Sequence, residues 1–230
     1  MWKSMNSFNS ILGVFVREFK IHYRNLFHIL SIFLFFILSI LIFVFAVGSN
    51  KELFNQIGVG IIWAIILLSN TLSIKKFFQS DFDDNSLIII HMSGLSYEII
   101  ALIKMLTIWI FLQTPFFIIL PIAFLLLEMQ FDNLKIVYLS FLIGSVIITC
   151  ISAISGSMNL LNKKNFSIGG LIIMIFSIPV IIFGVNIVNV SDNIEIIKAQ
   201  INILLGIMFF FLAISPWASG LCIRISLQNK

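Results

Sequence analysis

Long apolar runs alternate with short polar connectors from one end of the chain to the other. Six runs of about 20 residues or more are long enough to cross a bilayer: Leu26–Val47, Leu53–Ile74, Ile99–Leu127, Ile136–Leu161, Ile168–Val190 and Ala199–Ile223. The predicted fold is therefore an all-α membrane protein with six transmembrane helices. The first run lacks a small-residue cleavage site and is followed by five more, so it is expected to be a retained span and not a signal peptide. Ahead of it, Ser10, Gly13, Arg17, Lys20 and Arg24 recur at helical spacing, and Phe8, Leu12, Phe15, Phe19 and Tyr23 form the opposite stripe. That pattern predicts an amphipathic helix lying in the membrane interface, apolar side down. The expected organisation is an interfacial helix within residues 1–25, then a six-span domain over residues 26–230 carrying one long connector at residues 75–98.

Composition agrees with this picture: 60% of residues are hydrophobic, 10% are charged and the mean hydropathy is +1.12. Soluble domains carry roughly 25% charged residues. The charges set an orientation. Lys and Arg gather before the first span (Lys3, Arg17, Lys20, Arg24), after the second (Lys75, Lys76), after the fourth (Lys163, Lys164) and after the sixth (Arg224, Lys230). The intervening connectors hold one each, Lys51, Lys135 and Lys198. Cytoplasmic loops are the ones enriched in basic residues, so both termini are expected to be cytoplasmic. The net charge of +4 follows from this asymmetry and gives no nucleic-acid footprint, because the basic residues flank spans.

The connector at 75–98 is the most informative polar segment. Phe78 and Phe82 stand one helical turn apart, with Asp81 and Asp84 on a neighbouring stripe. A short helix with buried aromatics and outward carboxylates suits a docking surface; a solvated acidic connector fits the same residues. Ser96 followed by Glu98 predicts a capped start for the third span. Pro115 and Pro121 in the third span and Pro179 in the fifth each remove a backbone hydrogen bond and favour a kink. Along the fourth span Ser145, Thr149, Ser152, Ala153 and Gly156 make a small-residue ribbon, suited to an intrachain seam or to a homodimer interface.

Chemistry is sparse. There is no G-x-x-x-x-G-K-[ST] phosphate loop, no H-E-x-x-H, no G-x-S-x-G and no carboxylate pair within a span. The chain is not expected to be an enzyme, and energy for any transport must come from a partner. Cys150 and Cys222 fall within spans without redox or zinc spacing and read as small packing residues. His22, His28 and His91 sit near the membrane boundary and suit interfacial roles better than iron ligation. Trp2, Trp63, Trp109 and Trp217 suit interface or packing roles. Lys104, about one turn into the third span, is expected to snorkel to the cytoplasmic surface.

The stretch Gly60-Ile61-Ile62-Trp63, the connector residues Phe78, Asp81, Asp84, Ser86 and Leu87, and Lys104 together resemble the CcmB heme-exporter family of cytochrome c maturation. Gly169, the run from Ile178 through Pro179 to Gly184, Ser215-Pro216 and Arg224-Ile225-Ser226-Leu227-Gln228 extend the resemblance over nearly the whole chain. Where that family commonly reads D-G-S-L-E, this chain has Asn85 at the glycine and Ile88 at the glutamate. Asn tolerates left-handed backbone, so the turn is expected to survive, whereas Ile88 removes a charge. Two prolines common in the family are absent, with Ser93-Gly94 and Ile175 in their place.

The resemblance implies an ABC-2-like exporter permease in a bacterial inner membrane. It implies a separate ATPase (CcmA) that holds ATP and Mg²⁺, a heme-handling membrane protein (CcmC), a small accessory subunit (CcmD) and a periplasmic heme chaperone (CcmE). Heme is then the cargo of the complex, with no cofactor bound to this subunit. The connector would be the ATPase-coupling element: Phe78 and Phe82 filling an apolar groove of the partner, Asp81 and Asp84 making rim pairs, and Ser86 and Leu87 completing the turn. Gly60, Trp63, Lys104, Pro179, Pro216 and Arg224 mark the family pattern elsewhere. A general ABC-2 exporter permease for a lipid, polysaccharide or drug shares the same architecture, and a non-transporting scaffold of the heme-handling complex is the other alternative.

Overall fold

The computed structural model describes residues 7–48, 50–131, 134–161, 167–189 and 194–230. Helix α1 covers Ser7–Arg24 and is followed by the first span, α2 (Leu26–Val47), which ends where Gly48 takes a φ of +75°. The second span, α3 (Lys51–Ser73), starts at Asn50, whose side-chain oxygen accepts from the Leu53 amide at 3.1 Å, and carries Glu52 in its first turn. The 75–98 connector folds as two short helices, α4 (Lys75–Asp83) and α5 (Ser86–Met92). The hinge between them is Asn85, at φ 58° and ψ 13°. This is the left-handed turn expected at Asn85.

The third span is interrupted. Helix α6 (Tyr97–Ile108) begins with the predicted cap, the Ser96 hydroxyl accepting from the Ile99 amide at 3.4 Å. It passes through a π-helical turn at Trp109–Gln113 and continues as α7 (Thr114–Leu126). Pro115 lies in the first turn of α7, directly after the π turn, where its missing N–H interrupts the regular ladder. The remaining spans are α8 (Leu134–Leu161), α9 (Ser167–Asn189) and α10 (Ile194–Gln228). Among the described residues six helices are long and apolar enough to cross a membrane, which makes the chain a multi-pass membrane protein.

The bundle is arranged around α8, the most enclosed span, which packs against α3, α4, α9 and α10. Its small-residue ribbon faces inward: Ser145, Thr149, Ser152 and Ala153 are buried, and Gly156 lies against Phe77, where an added Cβ would stand 3.0 Å away. The ribbon is thus a seam within the chain. Helices α2 and α10 expose the most surface. At 35 residues, about 52 Å, α10 runs well past a hydrocarbon core of about 30 Å and past its expected limits of Ala199 and Ile223.

Helix α1 is amphipathic as expected, with Leu12, Phe19 and Tyr23 exposed on its apolar stripe. It also has a buried face to which Ser10, placed in the polar stripe above, contributes together with Val14 and Glu18, which neither stripe contained. Helix α1 packs along α6. That buried face builds the site.

Candidate functional site

Four charged side chains from three separate elements converge below the connector hairpin. The Arg17 guanidinium on α1 donates to Glu18 at 2.5 Å and to Asp81 on α4 at 2.7 Å. The Lys104 ammonium on α6 donates to Glu18 at 3.0 Å and also to Asp81. Two cations and two carboxylates therefore close a charge-balanced ring in which Glu18 is 1%, Lys104 2% and Asp81 6% exposed. Each carboxylate bridges both cations. Charges so deeply buried persist only when paired in this manner, because the desolvation cost of each ion must be offset by its neighbours.

A cavity of about 80 Å³ lies against the ring, lined by Glu18, His22, Asn25, Ser73, Asp81 and Lys104 among others. His22 stacks on Phe111 of the π turn at 5.4 Å and its Nδ1 lies 2.9 Å from the Glu18 carbonyl oxygen. Burial pushes the His22 pKa below its ordinary value, against the raising effect of that hydrogen bond and of the Glu18 charge. The imidazole is consequently neutral at pH 7. His91 is similarly engaged, stacked on Tyr97 at 4.1 Å with Nδ1 2.7 Å from the Leu95 carbonyl oxygen. The side chain of His28 lies outside the described residues, as do Trp2, Lys3, Lys163 and Lys164.

The hairpin is held from its other side by Lys230. Its ammonium donates to the Phe82 carbonyl oxygen at 2.6 Å and to Asn85 Oδ1 at 2.7 Å, and stands 4.6 Å from the centre of the Phe82 ring. A cation at the end of α4 answers the free carbonyls and the negative pole of that helix. The hairpin is thereby tied to α1, to α6 and to the end of α10.

Several sequence expectations change here. Phe78 and Phe82 are 0% and 1% exposed and Leu87 is fully buried, so these side chains fill this chain's own core and present no apolar knob to a partner. Helix α4 packs on α8, and Gly156 lets Phe77 approach closely. Asp81 is turned inward to the ring; Asp84 is exposed, with Asp83 and Asn85 beside it, and Ser86 is half-buried at the start of α5. Lys104 does not snorkel. Glu18 and Asp81 meet its ammonium inside the bundle, and the side chain is 2% exposed.

Of the other positions that carry the resemblance, Trp63 is a packing residue. Trp63 on α3 is 1% exposed, edge-on to Phe141 at 5.9 Å, and its ring occupies a socket made by Gly144 and Gly184. A Cβ on Gly184 would come within 2.8 Å of that ring. Gly60 has open space beside it, Pro179 lies within α9, Pro216 within α10, and Arg224 is exposed near the end of α10. Trp109 donates to the Ser145 hydroxyl at 3.1 Å, and Trp217 is exposed.

Two features escaped the pattern of the sequence. Glu18 is the only carboxylate in the first 50 residues, and that isolation was the available signal. The second is a polar knot beside the π turn: Gln113 Nε2 donates to Asn70 Oδ1 at 2.8 Å and to the Thr149 hydroxyl at 3.3 Å, joining α3, the third span and α8. Both Gln113 and Asn70 are fully buried.

Comparison with known proteins identifies the family of the chain. Residues 9–226 match the family described as CcmB protein. Heme exporter protein B of Haemophilus influenzae is 30% identical over 218 residues, covering 95% of this chain and 99% of that protein. The protein of the same name from Rhodobacter capsulatus is 26% identical, over 84% of this chain and 89% of its own. A mitochondrial ccmB-like protein of Marchantia polymorpha, named for cytochrome c biogenesis, is 26% identical over 98% of this chain and 76% of its own. With the match spanning all six membrane helices and the hairpin they carry, the chain belongs to the CcmB family.

Proposed function

We propose that this chain is the membrane permease subunit of an ABC-type heme exporter acting in cytochrome c maturation, seated in a bacterial inner membrane with both termini cytoplasmic. The observation that carries the proposal is the near full-length likeness to proteins named Heme exporter protein B, joined by a relative named for cytochrome c biogenesis. The concentration of basic residues at the end that bears α1, the hairpin and Lys230 supports the orientation. The chain carries no phosphate loop, so ATP and Mg²⁺ belong to a CcmA-like partner. CcmC-like, CcmD-like and CcmE-like proteins complete the complex, and heme is its cargo.

In this proposal the α4–α5 hairpin receives the ATPase through its exposed tip, Asp83, Asp84 and Asn85, while Phe78, Phe82 and Leu87 anchor it to the bundle. A push on the tip is passed through Asp81 to Lys104 on the third span and to Arg17 and Glu18 on α1. Lys230 passes it to α10. The ring and the π turn together form a two-state element, biased by ATP binding on the partner and used to release the heme-loaded chaperone.

The test is a heme stain of membranes from a strain deleted for this gene and complemented with the intact gene, covering both c-type cytochromes and the heme chaperone. Loss of c-type cytochromes with heme still on the chaperone is the expected result. Unchanged cytochromes would contradict the proposal and favour a general exporter. A scaffold would restore cytochromes even when Asp83→Ala and Asp84→Ala abolish stimulation of the ATPase.

A further inference from the structure

A groove of about 720 Å³ opens between α1, α2 and the start of α7, lined by Phe19, Phe33, Phe111, Pro115 and Ile118 with Thr114. Its walls are almost wholly apolar, and its size falls in the range of about 300–1,000 Å³ that small-molecule sites occupy. Beside it, on the adjoining face of α1, Arg17, Lys20 and Arg24 line a second concavity of about 380 Å³. Phe19 in the groove and Lys20 at the basic concavity are consecutive residues of one helix turn. Arg17 is committed to Glu18 and Asp81, whereas Lys20 and Arg24 are exposed and make no ion pair among the described residues.

We propose that this groove holds one anionic phospholipid of the leaflet in which α1 lies, its acyl chain against Phe19, Phe33 and Phe111 and its phosphate on Lys20 and Arg24. The juxtaposition selects the occupant. A free phosphate has no use for the apolar groove, and an extended polypeptide would leave its backbone groups unpaired against walls that offer almost no hydrogen-bonding partners. An apolar helix, which pairs its own backbone groups, would bring no anion to Lys20 and Arg24. An amphiphile with one apolar tail and a negative head satisfies both concavities, and an interfacial helix with a basic edge lies at the depth of the headgroups. A zwitterionic lipid would fill the groove while forgoing the net attraction of the two cations.

The test is native mass spectrometry of the full-length protein in detergent, with phosphatidylglycerol and phosphatidylcholine of identical chains supplied in equal amounts. The expected result is one phosphatidylglycerol retained with a preference of about thirtyfold, the product of two basic side chains near a phosphate. Lys20→Ala with Arg24→Ala removes the preference but not lipid retention, and Thr114→Trp, which fills the groove, reduces retention of both lipids. Equal retention of the two lipids by the unaltered protein would overturn the proposal without recourse to any variant. So would an unchanged preference in the double variant, or one-for-one displacement of phosphatidylglycerol by hemin, which would assign the groove to a porphyrin.

Discussion

Lys104 illustrates how much one side chain can constrain a membrane protein. Its ammonium is enclosed by two carboxylates that are themselves buried, so removing it strands Glu18 and Asp81 with a single remaining cation, Arg17. Lys104→Met is expected to destabilise the protein by about 3–5 kcal/mol, the cost of breaking a buried pair from one side. Thermal unfolding in detergent, followed by loss of monodisperse protein, measures it. His22 adds a pH dependence of known sign. Because burial lowers its folded-state pKa, the unfolded chain binds the proton more readily, and stability is fully present above the ordinary value near 6.5 and falls as pH drops toward the depressed one. Melting curves between about pH 8 and pH 5 should show this decline, and His22→Phe should flatten it in that window.

At the scale of elements, the α4–α5 hairpin depends on side chains that come from elsewhere in the chain. Lys230 holds the end of α4 through a carbonyl oxygen and Asn85, so Lys230→Ala should speed amide hydrogen exchange around residues 82–86 while leaving α8 unchanged. The spans themselves were legible as apolar runs, since a membrane demands length and hydrophobicity from every crossing helix. The left-handed turn at Asn85 and the cap at Ser96 were legible too, because both are local. The extended start of α10 was not, because Ile194-Glu195-Ile196-Ile197-Lys198 mixes charge with apolar residues and continues the helix outside any hydrophobic run. The π turn has no signature beyond Pro115 following it.

For the whole molecule, the ring of Arg17, Glu18, Asp81 and Lys104 could not be read from hydropathy or spacing. Its partners lie up to 86 residues apart, and a lone lysine in a span looks the same whether it snorkels or pairs. The small-residue ribbon of α8 posed the same difficulty, since only the packing distinguishes a seam from a dimer interface. What the fold adds is connection: the hairpin, α1, the third span and the end of α10 meet through a few charged contacts beside the buried aromatics of α4. Buried ion clusters are seldom needed for stability, because well-packed apolar residues of similar volume often match or exceed them. The two-state movement proposed above would give this cluster a role that an apolar cluster could not fill.

The most direct test replaces the whole ring with apolar residues, Arg17→Met, Glu18→Met, Asp81→Leu and Lys104→Met together, and measures c-type cytochromes and heme chaperone loading in a strain that carries only this variant. The account predicts that the variant accumulates in the membrane at the normal level, leaves heme on the chaperone and fails to mature cytochromes, because the hairpin can no longer pass its movement to the spans. Normal accumulation with normal cytochrome maturation would contradict it and reduce the ring to a structural contact.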